Sequence, residues 1–437
     1  MATPRRPRRR PAGTAPIWTR DFTLATLTNL LLSIIFMASI VTMAPYAVEH
    51  LGASEPQAGA VASIFVVGAL LTRPLTGRFL DTLGRRRLVV VGIAVQVGTT
   101  ALYFLADSLP WLLTVRVLHG MAFGVVNTAL AASVISLLPA RRRSEGTGYF
   151  GMGGVIAGAI GPLAALPVLL GPGPTALFVL FTGTAVAAFG LSLLLRLPTP
   201  QPAPAGGSGG VRTQQRRRRV SFGPLLRTLL EPRVIPVASV MLVAGAGFSS
   251  VMTYLSLYTP QIGMGHLTTL FFAVYSASVL LVRPFAGRLH DARGDNTIIY
   301  PALLSLAGAL LVVSFARSPA WLLLGAVLLA MGFGTLMSSM QAIAVTLAPR
   351  ERVGTATATF FLILDVGTGL GPILLGFAVA HLGYSPMYLI MAAVVLLAVL
   401  QYHLAHGGTP RRRIGPLPDD LPDVFGPRSS TEPAPER

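Results

Sequence analysis

Few ionisable side chains interrupt the long apolar stretches of this 437-residue chain. Asp365 is the only acid deep inside such a stretch, and Arg116 lies in another, three residues before His119. A charge in a hydrocarbon core costs roughly 2.5–3.5 kcal/mol on insertion scales, so each one needs a partner or a wet cavity. Burial favours the neutral form of a carboxyl, which would let Asp365 bind and release a proton. Asp365 is therefore our candidate for proton coupling, and Arg116 and His119 are further candidates for a functional site.

Each of these residues also has a structural interpretation. Arg116 could bind carbonyl groups of a neighbouring helix, Asp365 could be hydrogen-bonded to another helix, and His119 could be a satisfied interior residue. Asn127 follows Arg116 at a helical spacing that gives the two nearly the same direction, which makes a polar stripe. Further polar residues either line a substrate cavity or bridge helices, and the candidates for the cavity are Asn29, Asn127, Tyr254 and Gln341.

The elements that carry these residues are predicted to be membrane helices. Hydrophobic residues make up 53% of the chain and charged residues 11%, about half the charged share of a soluble protein. Twelve nearly uncharged stretches between residues 21 and 404 are long enough to cross a hydrocarbon core of ~30 Å. We therefore predict an all-α membrane protein with twelve transmembrane helices. The absence of cysteine excludes disulfides and thiolate metal sites.

The two halves of the sequence are copies of one repeated unit. Arg73 and Asp81 return as Arg283 and Asp291, each 210 residues later, and the same offset relates Gly161-Pro162 to Gly371-Pro372. A constant register over roughly ninety residues indicates an internal repeat, which is typical of transporters. The twelve helices are therefore predicted to form two pseudo-symmetric halves of six.

Composition sets the expected domain boundaries. A Pro-rich, then Gly/Ser-rich, then basic segment separates the two copies and is predicted to be a flexible linker. The final segment, rich in Pro and acidic residues, is not expected to fold alone. The predicted divisions are a basic cytoplasmic tail (1–20), the first half (21–197), the linker (198–233), the second half (234–406) and a disordered tail (407–437).

The distribution of charge predicts the orientation. The net charge is +18 and no lysine is present, so every basic residue is an arginine. Arginine clusters occupy alternate loops and both tails, which is the positive-inside pattern of a protein with both termini in the cytoplasm. Because the basic clusters alternate with apolar stretches, nucleic-acid binding is the weaker interpretation. The expected location is the cell (inner) membrane, where the basic runs bind anionic lipid headgroups.

The segment Gly77-Arg78-x-x-Asp81-x-x-Gly84-Arg85-Arg86 resembles the signature loop of the major facilitator superfamily. The resemblance covers about residues 21–404 and includes a second, weaker copy in which Asp295-Asn296 replace Arg85-Arg86. It implies the major facilitator fold and alternating access between two halves that a latch joins on the cytoplasmic side. The alternative is a solvated loop that only sets the orientation. The predicted latch residues are Gly77, Arg78, Asp81, Gly84, Arg85 and Asp291.

Two further motifs favour export within that family. Arg116-Val-Leu-His119-Gly120 resembles a motif whose arginine is associated with proton coupling in exporters. The resemblance therefore adds Arg116 and His119 to Asp365 as predicted proton-coupling residues. A run of small residues with a proline resembles the antiporter motif of the drug-efflux branches, although Ala164-Ala165 stand where the family has paired glycines. Small residues allow close helix contact and proline bends a helix. The predicted packing residues are Gly158, Gly161, Pro162, Gly371 and Pro372.

These observations predict a secondary active transporter that exports a small organic molecule by proton antiport. A proton-coupled uptake carrier for a sugar or small metabolite and a metallophore exporter of the same fold stay open as alternatives. An enzyme is not expected, because the apolar stretches carry no clustered nucleophile–base set and no metal-ligand motif such as HExxH, and no filter repeat suggests a channel. We expect a monomer whose partners are a small-molecule substrate, protons and the lipid bilayer, with no nucleic acid, metal or cofactor.

Overall fold

The computed structural model describes residues 16–139, 142–197, 230–349 and 352–408. These ranges contain twelve helices long and apolar enough to cross a membrane, and no strand. The helices are α1 (Arg20–Leu51), α2 (Glu55–Leu83), α3 (Arg85–Ala101), α4 (Leu109–Leu137), α5 (Arg143–Leu170), α6 (Pro174–Leu193), α7 (Ile235–Gln261), α8 (Thr268–Arg293), α9 (Asp295–Ser314), α10 (Pro319–Leu347), α11 (Val353–Leu382) and α12 (Tyr384–Tyr402). The predicted fold class is confirmed.

A single glycine separates α2 from α3, and another separates α8 from α9. Gly84 and Gly294 have φ angles of +76° and +83°, a conformation that other residues rarely adopt. The expected loop between the second and third spans is therefore mostly helical, because α2 continues through Leu83. The apolar stretch that predicts this second span covers about residues 57–75, so the helix extends beyond it. Hydropathy marks where a helix leaves the hydrocarbon, whereas backbone hydrogen bonding continues beyond that point.

The sequence repeat reappears as a repeated contact between the halves. Helices α2 and α11 pack together across the halves, as do α5 and α8, and α1 and α7. At the first contact, Val66 lies against Gly369. At the second, the hydroxyl of Ser276 donates to the carbonyl of Ala159 at 2.8 Å. Adding 210 to 66 and to 159 gives 276 and 369, so the two contacts are equivalent under the repeat.

One end of the bundle is sealed. We call the end with the turns at Gly84 and Gly294 the arginine-rich end, and the end with the turn at Gly52 the arginine-poor end. Residues 38–47 of α1 and 247–259 of α7, which lie toward the arginine-poor end, are buried without interruption. A helix buried over several successive turns is covered on all sides. The two halves are therefore closed against each other at the arginine-poor end.

The last residues of the predicted linker pack against the second half. Glu231 is only 3% exposed and forms an ion pair with Arg352 at 2.9 Å. Its backbone N–H donates to the hydroxyl of Thr359 on α11 at 2.9 Å. Glu231, three residues before the predicted boundary at 234, is thus bonded to the second half. Residues 1–15, 198–229 and 409–437 lie outside the described residues, so the predicted linker and tails stay predictions.

Candidate functional site

An ion pair joins the two halves within the apolar part of the bundle. The guanidinium of Arg73 on α2 contacts the carboxylate of Asp365 on α11, and the two side chains are only 24% and 18% exposed. Such a pair interacts more strongly than a surface pair, because less water screens the two charges. The sequence singled out Asp365 without its partner. Arg73 was visible only as a member of the repeated motif.

Close packing of α2 on α11 sets the position of this pair. Gly59, Val66 and Arg73 are spaced by seven residues, so they lie on one side of α2. Gly59 lies against the backbone of Pro372, and Val66 lies against Gly369. The missing Cβ atoms let the helices approach closely, and Arg73 then reaches Asp365 two turns beyond Val66.

Arg116 is bonded within the first half and does not pair with Asp365. Its side chain is completely buried, with Nε and Nη2 donating to the carbonyls of Val61 at 2.8 Å and Ala62 at 3.0 Å. Nη1 donates to the hydroxyl of Ser39 at 2.8 Å. The guanidinium therefore fastens α4 to α2 and α1, which is the alternative that the sequence left open. Its role in proton coupling stays a prediction.

His119 is also satisfied inside the first half. Its Nε2 lies 2.8 Å from the amide of Gln96, and its Nδ1 lies 3.0 Å from the hydroxyl of Tyr103. The ring meets Phe65 edge-on, with centroids 4.9 Å apart. These contacts join α4 to α3 and the turn that follows it. His119 contacts neither Arg73 nor Asp365, and its share in proton coupling stays a prediction.

The four predicted cavity residues lie in different parts of the bundle. Asn127 on α4 donates to Asn29 on α1 at 3.0 Å, in the half of the membrane nearer the arginine-rich end. Gln341 lies on α10 toward the same end and is half-buried. Tyr254 instead lies in the sealed end, completely buried, where it donates to the carbonyl of Pro372 at 2.6 Å. Tyr254 therefore bridges α7 and α11 in this structure, apart from the other three residues, and the shared cavity stays a prediction.

Two of the five predicted packing residues, Gly161 and Gly371, lie against a neighbouring helix. A Cβ on Gly161 would press against Ala38 of α1, and a Cβ on Gly371 would press against Ala246 of α7. Pro162 and Pro372 follow them inside α5 and α11. Nothing lies within 4 Å of a Cβ built on Gly158, so this glycine is not at a close helix contact in the structure, and its packing role stays a prediction. A small residue permits a contact but does not bring a neighbouring helix to that face.

The tightest helix approach was missed by the sequence analysis. Gly120 on α4 lies against the backbone of Phe65, and Gly124 lies against the backbone of Ala69. Gly120 immediately follows His119 in the motif, where it was read only as part of the resemblance. Gly120 and Gly124 are four residues apart and so lie on one face of α4. This spacing of small residues would have predicted the close contact with α2.

The predicted latch is only partly described. Gly84 forms the turn between α2 and α3, and Arg85 begins α3 with a half-buried side chain. The side chains of Gly77, Arg78, Asp81 and Asp291 lie outside the described residues. Arg86 donates to the carbonyls of Leu193 and Leu195 at 3.3 and 3.1 Å, which ties α3 to the end of α6. The latch between the halves therefore stays a prediction.

The second copy of the motif has its own set of bonds. Asp295 accepts from His290 at the end of α8 and from His406 after α12, both at 2.8 Å. Asn296 accepts from Tyr402 at 2.9 Å. These contacts join three helices of the second half at its arginine-rich end. In this copy, the residues equivalent to Arg85 and Arg86 are thus bonded within one half.

The chain is similar in sequence and in fold to known membrane transporters. The profile of the Major Facilitator Superfamily matches residues 25–363 and 298–420. An uncharacterized MFS-type transporter of Burkholderia mallei (strain SAVP1) is 27% identical over 364 residues, covering 80% of this chain and 83% of the relative. The uncharacterized MFS-type transporter YhhS of Escherichia coli (strain K12) is 26% identical over 370 residues, covering 81% and 85%. A crystal structure of an auto-inhibited POT family peptide transporter superposes with a TM-score of 0.72 at 14% identity, covering 90% of this chain and 98% of that one, which shows the shared fold.

Proposed function

Because the chain belongs to the Major Facilitator Superfamily and is a multi-pass membrane transporter, we propose that it exports a small organic molecule in exchange for protons. The arginine-rich end is proposed to face the cytoplasm, with both termini there, as the positive-inside rule requires. In this orientation the structure is closed toward the outside. A carrier in that state receives its cargo from the cytoplasm.

The observation that carries the proposal is the ion pair between Arg73 and Asp365. Asp365 is the one carboxylate of the described helices that lies well away from a helix end, and its partner belongs to the other half. When the carboxyl is ionised, the pair draws α2 and α11 together. When Asp365 binds a proton, its carboxyl group becomes neutral and no longer attracts the guanidinium of Arg73.

Proton binding thus changes the free energy difference between the two states of the carrier. A ligand shifts an equilibrium between two states only when it binds one state more tightly than the other. If the ion pair between Arg73 and Asp365 exists in one state alone, a proton binds Asp365 more tightly in the other state. A proton entering from outside would bind Asp365 in the outward-open state. Its release to the cytoplasm would restore the pair and the closed outer end.

Arg116 and His119 enter this proposal as positioning residues. Arg116 binds two carbonyls of α2, the same helix that carries Arg73 twelve and eleven residues further on. His119 fastens the adjoining part of α4 to α3. Together they fix α2 within the first half. Movement of one half against the other therefore changes the distance between Arg73 and Asp365. The cargo is proposed to bind nearer the arginine-rich end, beside Asn29, Asn127 and Gln341.

The export proposal is tested first in cells and then in vesicles. A strain that lacks the gene is complemented with the wild type, with Asp365→Asn, or with Asp107→Asn as an exposed-acid control. Compounds that the wild type and the control release into the medium, and the empty strain does not, are identified by mass spectrometry. Those compounds are then added to inverted membrane vesicles that hold an imposed pH gradient and a pH-sensitive dye.

We expect the identified compound to dissipate the gradient in vesicles with the wild type and Asp107→Asn, and to leave it intact with Asp365→Asn. Full gradient-driven transport by Asp365→Asn would place the proton site elsewhere. Depletion of a compound from the medium, in place of its release, would reverse the direction and make the protein an uptake carrier.

A further inference from the structure

Arg283 is a half-buried guanidinium on α8 without a hydrogen bond or an ion pair to any described residue. It lies ten residues before the end of α8, and it is the repeat counterpart of Arg73, since 73 plus 210 is 283. A cation at such a depth is unfavourable unless something compensates its charge. The two equivalent arginines therefore have different surroundings, and the difference points to a ligand.

The repeat shows what faces Arg283. Seven residues separate it from Ser276, so the two lie on the same side of α8, the side on which Ser276 bonds to Ala159 of α5. Arg73 has the same relation to Val66, which lies against Gly369. Subtracting 210 from 365 gives position 155, so a valine stands in α5 where α11 has the pairing acid. Val155 packs with the apolar cluster that includes Tyr275 and Val279 of α8.

The charge balance inside the bundle supports the same conclusion. Among described side chains well away from helix ends, the formally charged ones are Arg73, Arg116, Arg283 and Asp365. Asp365 compensates Arg73, and Arg116 is bonded to two carbonyls and a hydroxyl. Arg283 is left as a positive charge beside the seam between α5 and α8. A positive field in a poorly hydrated cleft attracts anions and repels cations.

We infer that Arg283 binds an anionic oxygen group, a carboxylate or a phosphate, that enters the seam between α5 and α8 from the arginine-rich end. A guanidinium suits these groups because its N–H donors match two oxygens at once. The group belongs either to a soluble organic anion, which would be the cargo, or to the headgroup of an anionic lipid. The site is independent of proton coupling at Asp365, and its occupancy is measured without a gradient.

The test measures the thermal unfolding midpoint of the full-length protein in nanodiscs. In phosphatidylcholine nanodiscs, acetate and inorganic phosphate are the soluble probes, acetamide is the uncharged control, and sodium chloride matches the ionic strength. In a second arm, nanodiscs with added phosphatidylglycerol supply an anionic headgroup. The variants are Arg283→Gln, Arg283→Lys and, as an exposed arginine on the same helix, Arg288→Gln.

A second pair of variants uses the repeat as an internal ligand. Val155→Asp places a carboxylate where α11 has Asp365, so it should occupy Arg283 and suppress the response to added anions. Val155→Asn, of nearly the same size but uncharged, should leave the response in place. If Val155→Asp does not fold, the comparison of Arg283→Gln with Arg288→Gln still tests whether Arg283 binds the anion.

We expect the midpoint of the wild type and of Arg288→Gln to rise with at least one anionic probe beyond the chloride control, and this rise to be lost in Arg283→Gln and reduced in Arg283→Lys. A response to acetate or phosphate identifies a soluble anion, and a response to phosphatidylglycerol alone identifies a lipid headgroup. The inference is overturned if no anionic probe stabilises the wild type, or if Arg283→Gln responds as the wild type does.

Discussion

Breaking the ion pair between Arg73 and Asp365 should open the sealed end more often. Asp365→Asn keeps the volume of the side chain and removes its charge, and Arg73→Gln removes the positive charge on α2 with a shorter polar side chain. The side chains are 24% and 18% exposed, so screening is incomplete and the pair is worth more than a surface contact. We take ~1–2 kcal/mol for its contribution to the closed state, which corresponds to a roughly 5- to 30-fold change in the equilibrium.

The chain offers a clean assay because it contains no cysteine. Ala44 lies on α1 in the sealed end and is completely buried, in a cluster that includes residues of both halves. In an Ala44→Cys background, a maleimide reacts only when that end opens, so the labelling rate reports the open fraction. We expect Asp365→Asn and Arg73→Gln each to raise the rate by the factor above, with Arg288→Gln unchanged.

The double variant decides whether the two residues act through one contact. If the pair is the cause, Asp365→Asn combined with Arg73→Gln should label no faster than the more affected single variant, because the same interaction is lost only once. Lowering the pH should speed labelling in the wild type and have no further effect in Asp365→Asn. Unchanged rates in both single variants, or additive effects in the double, would refute the proposal that this pair holds the closed state.

Three further predictions concern the hydrogen bonds of Arg116, the close packing of two helices and the orientation in the membrane. Arg116→Lys keeps a charge but cannot reproduce the bonds to both carbonyls and to Ser39, so the unfolding midpoint should fall by an amount equivalent to ~1–3 kcal/mol. Gly120→Ala adds a methyl group against the backbone of Phe65 and should destabilise the protein by ~1–3 kcal/mol, whereas Gly158→Ala, which meets nothing within 4 Å, should be tolerated. Single cysteines at Ser108 and at Arg87 should react with an impermeant maleimide from opposite sides of the membrane, Ser108→Cys from outside; labelling of both from one side would contradict the proposed orientation.

The repeat allowed more of the structure to be predicted than the individual motifs did. An offset that holds along the chain requires equivalent contacts in the two halves, and the contacts of Val66 and Ser276 satisfy it. Composition was enough for the helices, because a stretch without charges has few alternatives to a membrane span. The end of α2 was misplaced because hydropathy does not report backbone hydrogen bonds.

The candidate site was less predictable, because its properties depend on which helices meet. Nothing in the local sequence around Asp365 indicates that Arg73 lies opposite. Arg116 has the residue type and depth of a coupling residue, yet three acceptors already satisfy its donors. The same reasoning explains Gly158, whose motif is correct for packing but whose side of α5 has no neighbour within reach. Depth and residue type suggest function, whereas the partner determines it.

The two seams between the halves are related by the repeat but differ in charge. At the α2–α11 seam the arginine is paired with an acid of the chain itself, and we propose that a proton breaks this contact by neutralising Asp365. At the α5–α8 seam the repeat places Val155 at the position equivalent to Asp365, and Arg283 has no ion pair with any described residue. The two equivalent arginines therefore support different proposals: proton coupling at the first seam and binding of an external anion at the second.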